Sequence, residues 1–281
     1  HTHTQAQQFT THKYVKKMCP TNKNCLTFFL SSIPPSSNQC NVHNHQYGDV
    51  FSAKILGKDM TFIAHPRAYD VFFKAHDTEL EEREVYKFMK PVFGNGVVYD
   101  AETPDVMMEQ LKFVTSGLTT TRFKEKYVGV FDDEVRRKCQ KLGDEGTIDI
   151  FEHLSDLIIF TASRCLLGDD IRHFLETKDL AKLYHDLDEG ISPLSFFYPW
   201  LPQSKRDNAK KHISAIFKEL IAIRRANPEK RYDDVLDTLL HNEYKSGKPV
   251  PDDHIVGILI AGLFAGQHTS SISSTWTLLN I

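Results

Sequence analysis

Near its C-terminal end the chain reads AGQHTSS (Ala265 to Ser271), a knot of hydroxyls, an amide and an imidazole that follows the apolar run Ile255 to Ala265. An imidazole and a hydroxyl in an otherwise dry segment are groups that move protons, because acid-base chemistry needs a titratable side chain held beside its reaction partner. At a spacing of 3.6 residues Ala261, Ala265 and Thr269 fall on one line, a low wall of small groups that ends in a hydroxyl. Gly262 and Gly266 each cost a helix about 1 kcal/mol against alanine, which points to something that approaches the backbone closely, such as a flat cofactor or a small ligand. Two plainer readings stay open. Small residues also let two helices pack closely, and a threonine hydroxyl can bond the carbonyl one turn earlier.

The elements that must position these groups are mainly helical. The apolar run is too short for a bilayer, which takes about 20 residues, and suits a helix buried through the middle of a domain. From Pro104 onward the periodicity predicts helices over 105–118, 121–142, 150–167, 176–189, 205–226, 232–244 and 252–281. Upstream, "DVFSAKILGKDMTFIAH" gives two extended runs joined at Gly57-Lys58, a hairpin signal. "PRAYDVFFKAH" opens a helix on Pro66 and places Tyr69, Phe72 and Phe73 on one face. The fold class is therefore mainly α with a small β-sheet. Residues 1–46 are rich in Thr, Asn, Gln, Ser and His without periodicity and read as a disordered or spurious leader; order is expected over 47–281.

Two loops are too apolar to be left in water. "PVFGNGVVYD" (Pro91 to Asp100) combines two glycines with Phe93, Val97, Val98 and Tyr99, and such a loop covers something. "ISPLSFFYPWLPQ" (Ile191 to Gln203) holds three prolines among large apolar groups; it reads as a membrane-facing or substrate-entry loop or as a core-packing one. With 281 residues, 41% of them hydrophobic, the chain can bury a sizeable core as one large domain or two small ones. Its net charge of -3 and scattered lysines and arginines give no signal for nucleic acid. Cys19, Cys25 and Cys40 with His43 and His45 fit no tight zinc spacing, and Cys139 and Cys165 read as inert reduced thiols.

Several motifs carry a resemblance. "AGQHTSS" with Trp276, "EVYKFMKPVFGNGVVYD" (Glu84 to Asp100), "MEQLKF" (Met108 to Phe113), "YHDLDEGISP" (Tyr184 to Pro193) and "PWLP" (Pro199 to Pro202) together resemble, in order and spacing, the sterol 14-alpha-demethylases, haem-thiolate monooxygenases of the cytochrome P-450 superfamily. The likeness runs from about Tyr47 to Ile281 and implies the N-terminal part of that fold, ending within its long distal helix. The family's axial cysteine loop and Glu-x-x-Arg helix are not among these residues, so the axial cysteine is expected beyond this chain.

The resemblance implies a role for each piece. Thr269 would act on bound oxygen or the water that protonates it, and Asp188 with His268 would form a proton-delivery pair. Tyr86 and Tyr99 would reach the haem propionates, with Ala265 and Gly266 against the haem face; the plainer reading of the tyrosines is two buried side chains bonded to backbone. Phe88, Met89, Phe93, Val97, Ala261 and Phe264 would line the sterol cavity, although any one of them could be plain core. Leu111 stands where the animal and fungal branches carry a lysine. That residue and Phe88 align the chain with the protist and plant branches, for which a 4-alpha-monomethyl sterol such as obtusifoliol is the expected substrate. The implied reaction is removal of the 14-alpha-methyl group in three oxygen-dependent steps, with electrons from NADPH through a reductase partner, at the endoplasmic reticulum membrane. The fragment alone is expected to be inactive. The alternative is a haem-free sterol- or lipid-binding fragment or a nonfunctional truncated product, and an unrelated all-helical packing domain is a third.

Overall fold

The computed structural model describes residues 50–281 apart from 56–57, 64–65, 77–78, 144, 192–196 and 199–201. The expected leader, the cysteine-histidine set before residue 47, Gly57, and most of the 191–203 loop lie outside the described residues. The chain forms two compact units, residues 1–82 and 83–281.

In the first unit, β1 (Val50–Ile55) and β2 (Lys58–Ile63) pair antiparallel with Val50 opposite Ile63 and Ile55 opposite Lys58. This is the hairpin the two extended runs predict. Phe51 stacks on Phe62 at 5.2 Å and the Ser52 and Thr61 hydroxyls meet at 2.9 Å, so cross-strand side chains on both faces hold the register. Helix α1 (Pro66–Lys74) follows, with Phe73 edge-on to both Tyr69 and Phe72 on an exposed face.

The second unit is helical: α2 (Glu82–Tyr86), α3 (Lys90–Phe93), α4 (Pro104–Gly117), α5 (Thr120–Arg122), α6 (Val128–Gln140), α7 (Ile150–Leu167), α8 (Ile171–Thr177), α9 (Leu180–Glu189), α10 (Ser204–Arg225), α11 (Val235–His241) and α12 (Asp252–Leu279). Short 3-10 turns at Lys87–Met89 and Val98–Asp100 bracket α3, and a π turn at Phe123–Tyr127 joins α5 to α6. Caps explain the helix starts: the Thr103 hydroxyl accepts from Val106 N–H before Pro104, Asp149 accepts from Glu152 N–H, and Asp234 accepts from Asp237 N–H.

Two predicted helices are corrected. The helix predicted over 176–189 begins only at Leu180, because Asp179 takes a left-handed conformation (φ 47°) and caps α9 through Lys182 N–H, and the unpredicted α8 precedes it at Ile171–Thr177. The 232–244 segment shrinks to α11. Asp233 is left-handed (φ 52°), Asn242 is extended, and Glu243 pairs with Pro249 in an isolated bridge, which leaves helical geometry only between them.

The hydrophobic core lies around the first half of α12, where Ile255, Val256, Ile258, Leu259, Ile260 and Leu263 are buried. Helices α7, α10, α11 and α3 pack on it. At 28 residues α12 is longer than its apolar run suggests, and by length and composition it is apolar enough to cross a membrane. Its burial against this chain's own helices makes it a core helix here.

A buried ion pair ties the far end of this core. Arg224 of α10 and Asp234 are 1% and 0% exposed and 2.7 Å apart, and Arg224 also donates to the Leu167 carbonyl at the end of α7. Gly168 (φ 76°) ends α7 against this pair, and a Cβ there would lie 2.5 Å from Asp234 Oδ2 and 2.7 Å from Arg224 Nη2. Only glycine satisfies both the turn and the contact.

Candidate functional site

The site is built on the second half of α12. Ala265 and Thr269 are exposed, Ala261, Gly262 and Gly266 are half-buried, and among the described residues nothing beyond the adjoining turns of the helix lies within 4 Å of where a Cβ on Gly266 would stand. A Cβ on Gly262 would meet only Leu166 Cδ1 at 3.7 Å, an ordinary contact. The close approach expected at Gly262 and Gly266 is found instead at Gly257, where a Cβ would strike the Phe93 carbonyl oxygen and stand 2.8 Å from Val97 Cγ2. The helix therefore presses on the 93–97 loop at Gly257, touches α7 lightly at Gly262, and leaves a strip open at Gly266.

A row of aromatic rings reaches α12 at Phe264. Tyr86 stacks on Tyr99 at 4.5 Å and on Phe88 at 6.0 Å; Tyr99 meets Phe93 at 6.3 Å, and Phe93 meets Phe264 of α12 edge-on at 6.2 Å. Five of the expected site residues thus form one continuous group. Met89, Phe93 and Val97 are buried in the hydrophobic core, while Phe88, Tyr99, Ala261 and Phe264 are partly buried against it and Tyr86 is exposed.

At the far end of the strip stand the expected proton-handling residues. His268 Nδ1 and Asp188 Oδ2 are 3.4 Å apart, with side chains 47% and 30% exposed, although they come from α12 and the last turn of α9. That separation suits an ion pair when the imidazole is protonated and exceeds a good hydrogen bond. The Thr269 hydroxyl donates to the Ala265 carbonyl at 2.8 Å, the local bond that the plainer reading of this threonine describes. The end of α9 is held against α10: Lys205 lies 3.2 Å from Asp186 and also pairs with Glu189, while a Cβ on Gly190 would come within 2.5 Å of Arg206 Cβ.

Residues that the sequence reading did not single out hold the loop that carries Tyr99. The Gln110 side chain, fully buried, accepts from Val98 N–H at 2.6 Å and donates to the Gly96 carbonyl at 2.8 Å and the Tyr244 hydroxyl at 3.1 Å. The Tyr244 hydroxyl in turn lies 3.0 Å from His254 Nδ1. Burial pulls the His254 pKa below the usual imidazole value, against the opposing pull of Asp253 and Glu102. A signal for Gln110 existed: on α4 the buried positions Met107, Gln110 and Gly117 fall with Phe113 and Val114 on one stripe, so a polar side chain occupied a core position.

The strip has room for a flat prosthetic group, since among the described residues nothing outside the helix stands over Gly266 and the exposed Ala265 and Thr269 border it. The axial ligand is a different matter. Among the described residues Cys139 is exposed on α6 and Cys165 is buried on α7, where burial pushes its thiol up to about 12, so Cys165 stays protonated near neutral pH. No group of three or more His, Cys, Asp or Glu suited to a metal ion occurs among the described residues.

The family model for cytochrome P450 matches residues 24–281. The chain belongs to the cytochrome P450 family. It is 41% identical over 233 residues to the obtusifoliol 14-alpha demethylase of Sorghum bicolor, covering 82% of this chain and 46% of that protein. It is 42% identical over 236 residues to the lanosterol 14-alpha demethylase of Homo sapiens, again 82% of this chain and 46% of the relative. The chain spans about half the length of these curated relatives. Among solved structures, the retinoic acid bound cyanobacterial CYP120A1 superposes with a TM-score of 0.67 at 17% identity, covering 84% of this chain and 53% of that one, which shows the shared fold.

Proposed function

We propose that the intact protein is a sterol 14-alpha-demethylase and that this chain supplies the oxygen-side wall and the substrate-facing loop of its site. The observation that carries the reading is the meeting of Asp188 and His268 beside the open strip of α12, from helices about 80 residues apart in sequence. The relatives, named for the demethylation of obtusifoliol and of lanosterol, support it.

In this reading Ala265 and Gly266 of α12, with Tyr86 and Tyr99, would hold the haem. When bound, the haem supplies the activation of dioxygen, with electrons from NADPH through a reductase. The chain's own residues do the rest. Phe88, Met89, Phe93, Val97, Ala261 and Phe264 offer an apolar wall to a rigid hydrocarbon, which orients the methyl group and keeps bulk water out. His268 and Asp188 stand at the wet end of the strip, where a protonated imidazole can pass a proton inward and be recharged from solvent beside the carboxylate. Thr269 exchanges its bond to the Ala265 carbonyl for one to the oxygen-side water and so directs the last proton. Access along the membrane surface brings the sterol to the site.

The test is made on the intact haem-loaded protein. Obtusifoliol should give a low-to-high-spin absorbance shift and be demethylated, and His268→Ala should slow turnover by about 100-fold or more while changing sterol affinity far less, the range ascribed to a positioned proton donor. Absence of a sterol-induced shift in correctly loaded protein would sink the substrate assignment; equal turnover in variant and parent would remove the pair from the chemistry.

A further inference from the structure

Three unusual backbone features meet in the loop between α3 and α4. Gly94 and Gly96 take positive φ values of 111° and 70°, and Val98, a β-branched residue, sits at φ 48°. The last is costly, because a branched Cβ crowds the carbonyl in the left-handed region. Something must hold it there, and the bond from Val98 N–H to the buried Gln110 carboxamide is the specific restraint at that residue.

The orientation of that carboxamide follows from its neighbours. Val98 offers a donor and Gly96 a carbonyl acceptor, so Oε1 must face the first and Nε2 the second. Reversing the amide would set two N–H groups head to head. The second Nε2 hydrogen then points to the Tyr244 oxygen, whose hydroxyl lies in hydrogen-bond reach of His254 Nδ1. His254 also closes the site from below, since a Cβ on Gly96 would lie 2.9 Å from its Nε2. The loop is bonded internally as well: Gly96 N–H donates to Asp100 Oδ2 at 2.9 Å, and Lys90 pairs with Asp100 at 2.9 Å.

We propose that Gln110 is a positioning residue: by holding Val98 in the left-handed conformation it sets the next residue, Tyr99, in its stack on Tyr86 and against Phe93, and so shapes the edge of the site. The role of that edge in binding haem and sterol rests on the function proposed above. The placement of the loop by Gln110 does not. Without the carboxamide, Val98 relaxes to negative φ, the peptide that follows turns, and the Tyr99 ring leaves its 4.5 Å stack. Tyr244 and His254 are the outer links, which fix the carboxamide.

The experiment compares the intact haem-loaded parent with Gln110→Met, which keeps length and bulk but cannot make the bonds. Hydrogen exchange at the Gly96 to Asp100 amides should quicken by about tenfold, the scale for loss of one or two net hydrogen bonds, while amides in α7 and the first half of α12 keep parental rates. Obtusifoliol affinity should fall by a similar factor with haem content retained. Adding Val98→Gly, which removes the strain that Gln110 restrains, should recover most of the affinity; a role in general core packing predicts no such recovery. Parental exchange in the loop, or slower folding everywhere without rescue by Val98→Gly, overturns the proposal. If Gln110→Met does not accumulate as folded protein, Tyr244→Phe removes only the outer link and should still quicken the same amides by about threefold; unchanged exchange there overturns the proposal too. A parent protein that shows the predicted loop exchange but no obtusifoliol binding would defeat the sterol assignment and leave the positioning role standing.

Discussion

Two glycines on one helix should respond in opposite ways to the same change. In a helix interior Gly→Ala contributes about 1 kcal/mol of stability through backbone entropy and propensity. At Gly266 a Cβ meets nothing within 4 Å beyond the adjoining turns of the helix, so Gly266→Ala should show that full gain in the protein without bound haem. At Gly257 the new Cβ is driven into the Phe93 carbonyl oxygen and stands 2.8 Å from Val97 Cγ2. The carbonyl is backbone in a tightly bonded loop and cannot rotate away, so the overpacking cost belongs near the top of the usual range of about 1–3 kcal/mol. The net effect of Gly257→Ala is then a loss of about 2 kcal/mol, and the two variants should differ by about 3 kcal/mol, roughly a hundredfold in the folded-to-unfolded ratio. Urea unfolding of the haem-free proteins measures this as a midpoint difference at constant slope. Loading with haem should then reverse the order of merit: Gly266→Ala intrudes on the strip and loses haem or dioxygen affinity, whereas Gly257→Ala, once folded, keeps the strip bare. Equal stability of the two variants would refute the close approach of α12 to the 93–97 loop. Full haem and ligand binding by Gly266→Ala would refute the assignment of the strip.

Three further outcomes are expected. Asp234→Asn should destabilise the protein by about 3 kcal/mol, the low end of the range for breaking a buried pair, since it removes the nearer carboxylate from the buried Arg224 and leaves Asp170 at 3.4 Å as its remaining charged partner, and a loss under about 1 kcal/mol in urea unfolding would mean that water reaches the pair. The His254 pKa is depressed in the folded protein, so between that value and about 6.5 the unfolded chain binds the extra proton and stability falls as pH drops. The chain has 14 histidines, so the check is the difference in slope between parent and His254→Asn, which should be shallower across that window; identical slopes would show that His254 titrates normally. Phe88→Leu should shift selectivity from obtusifoliol toward lanosterol, within the roughly 10- to 200-fold that one methyl group allows, and competing turnover of the two sterols reads it directly.

The helices were legible because their apolar faces repeat cleanly: 150–167 is expected and α7 found at Ile150–Leu167, and α12 begins at the expected Asp252. What was not legible depended on partners remote in sequence. The 232–244 pattern continues past both real ends of α11, but Asp234 is claimed by Arg224 and Glu243 by a bridge to Pro249, and neither competitor lies within the segment's own periodicity. Glycine spacing likewise marked α12 as unusual without saying which glycine faces protein and which faces open space. That distinction exists only once Phe93 and Val97 arrive from the other end of the unit.

The same logic explains why the candidate site was half visible. Residues that would touch a ligand, Tyr86, Phe88, Tyr99, Phe264 and His268, sit in motifs whose order survives in sequence, and the fold brings the first four into one aromatic row with Phe93. Residues that hold those groups in place are scattered, because a support needs only one good contact and can come from any neighbouring element. Gln110 comes from α4, Tyr244 from the segment after α11, His254 from the first turn of α12 and Lys205 from α10. Gln110, Tyr244 and His254 are polar where their surroundings favour burial, and their bonds run to backbone or to one another, whereas the exposed Lys205 pairs with Asp186 and Glu189. A buried carboxamide on an apolar stripe is therefore the more informative sequence signal for such a support than any motif. It costs stability unless every bond is made, and at Gln110 the bonds run to the strained peptide beside Tyr99.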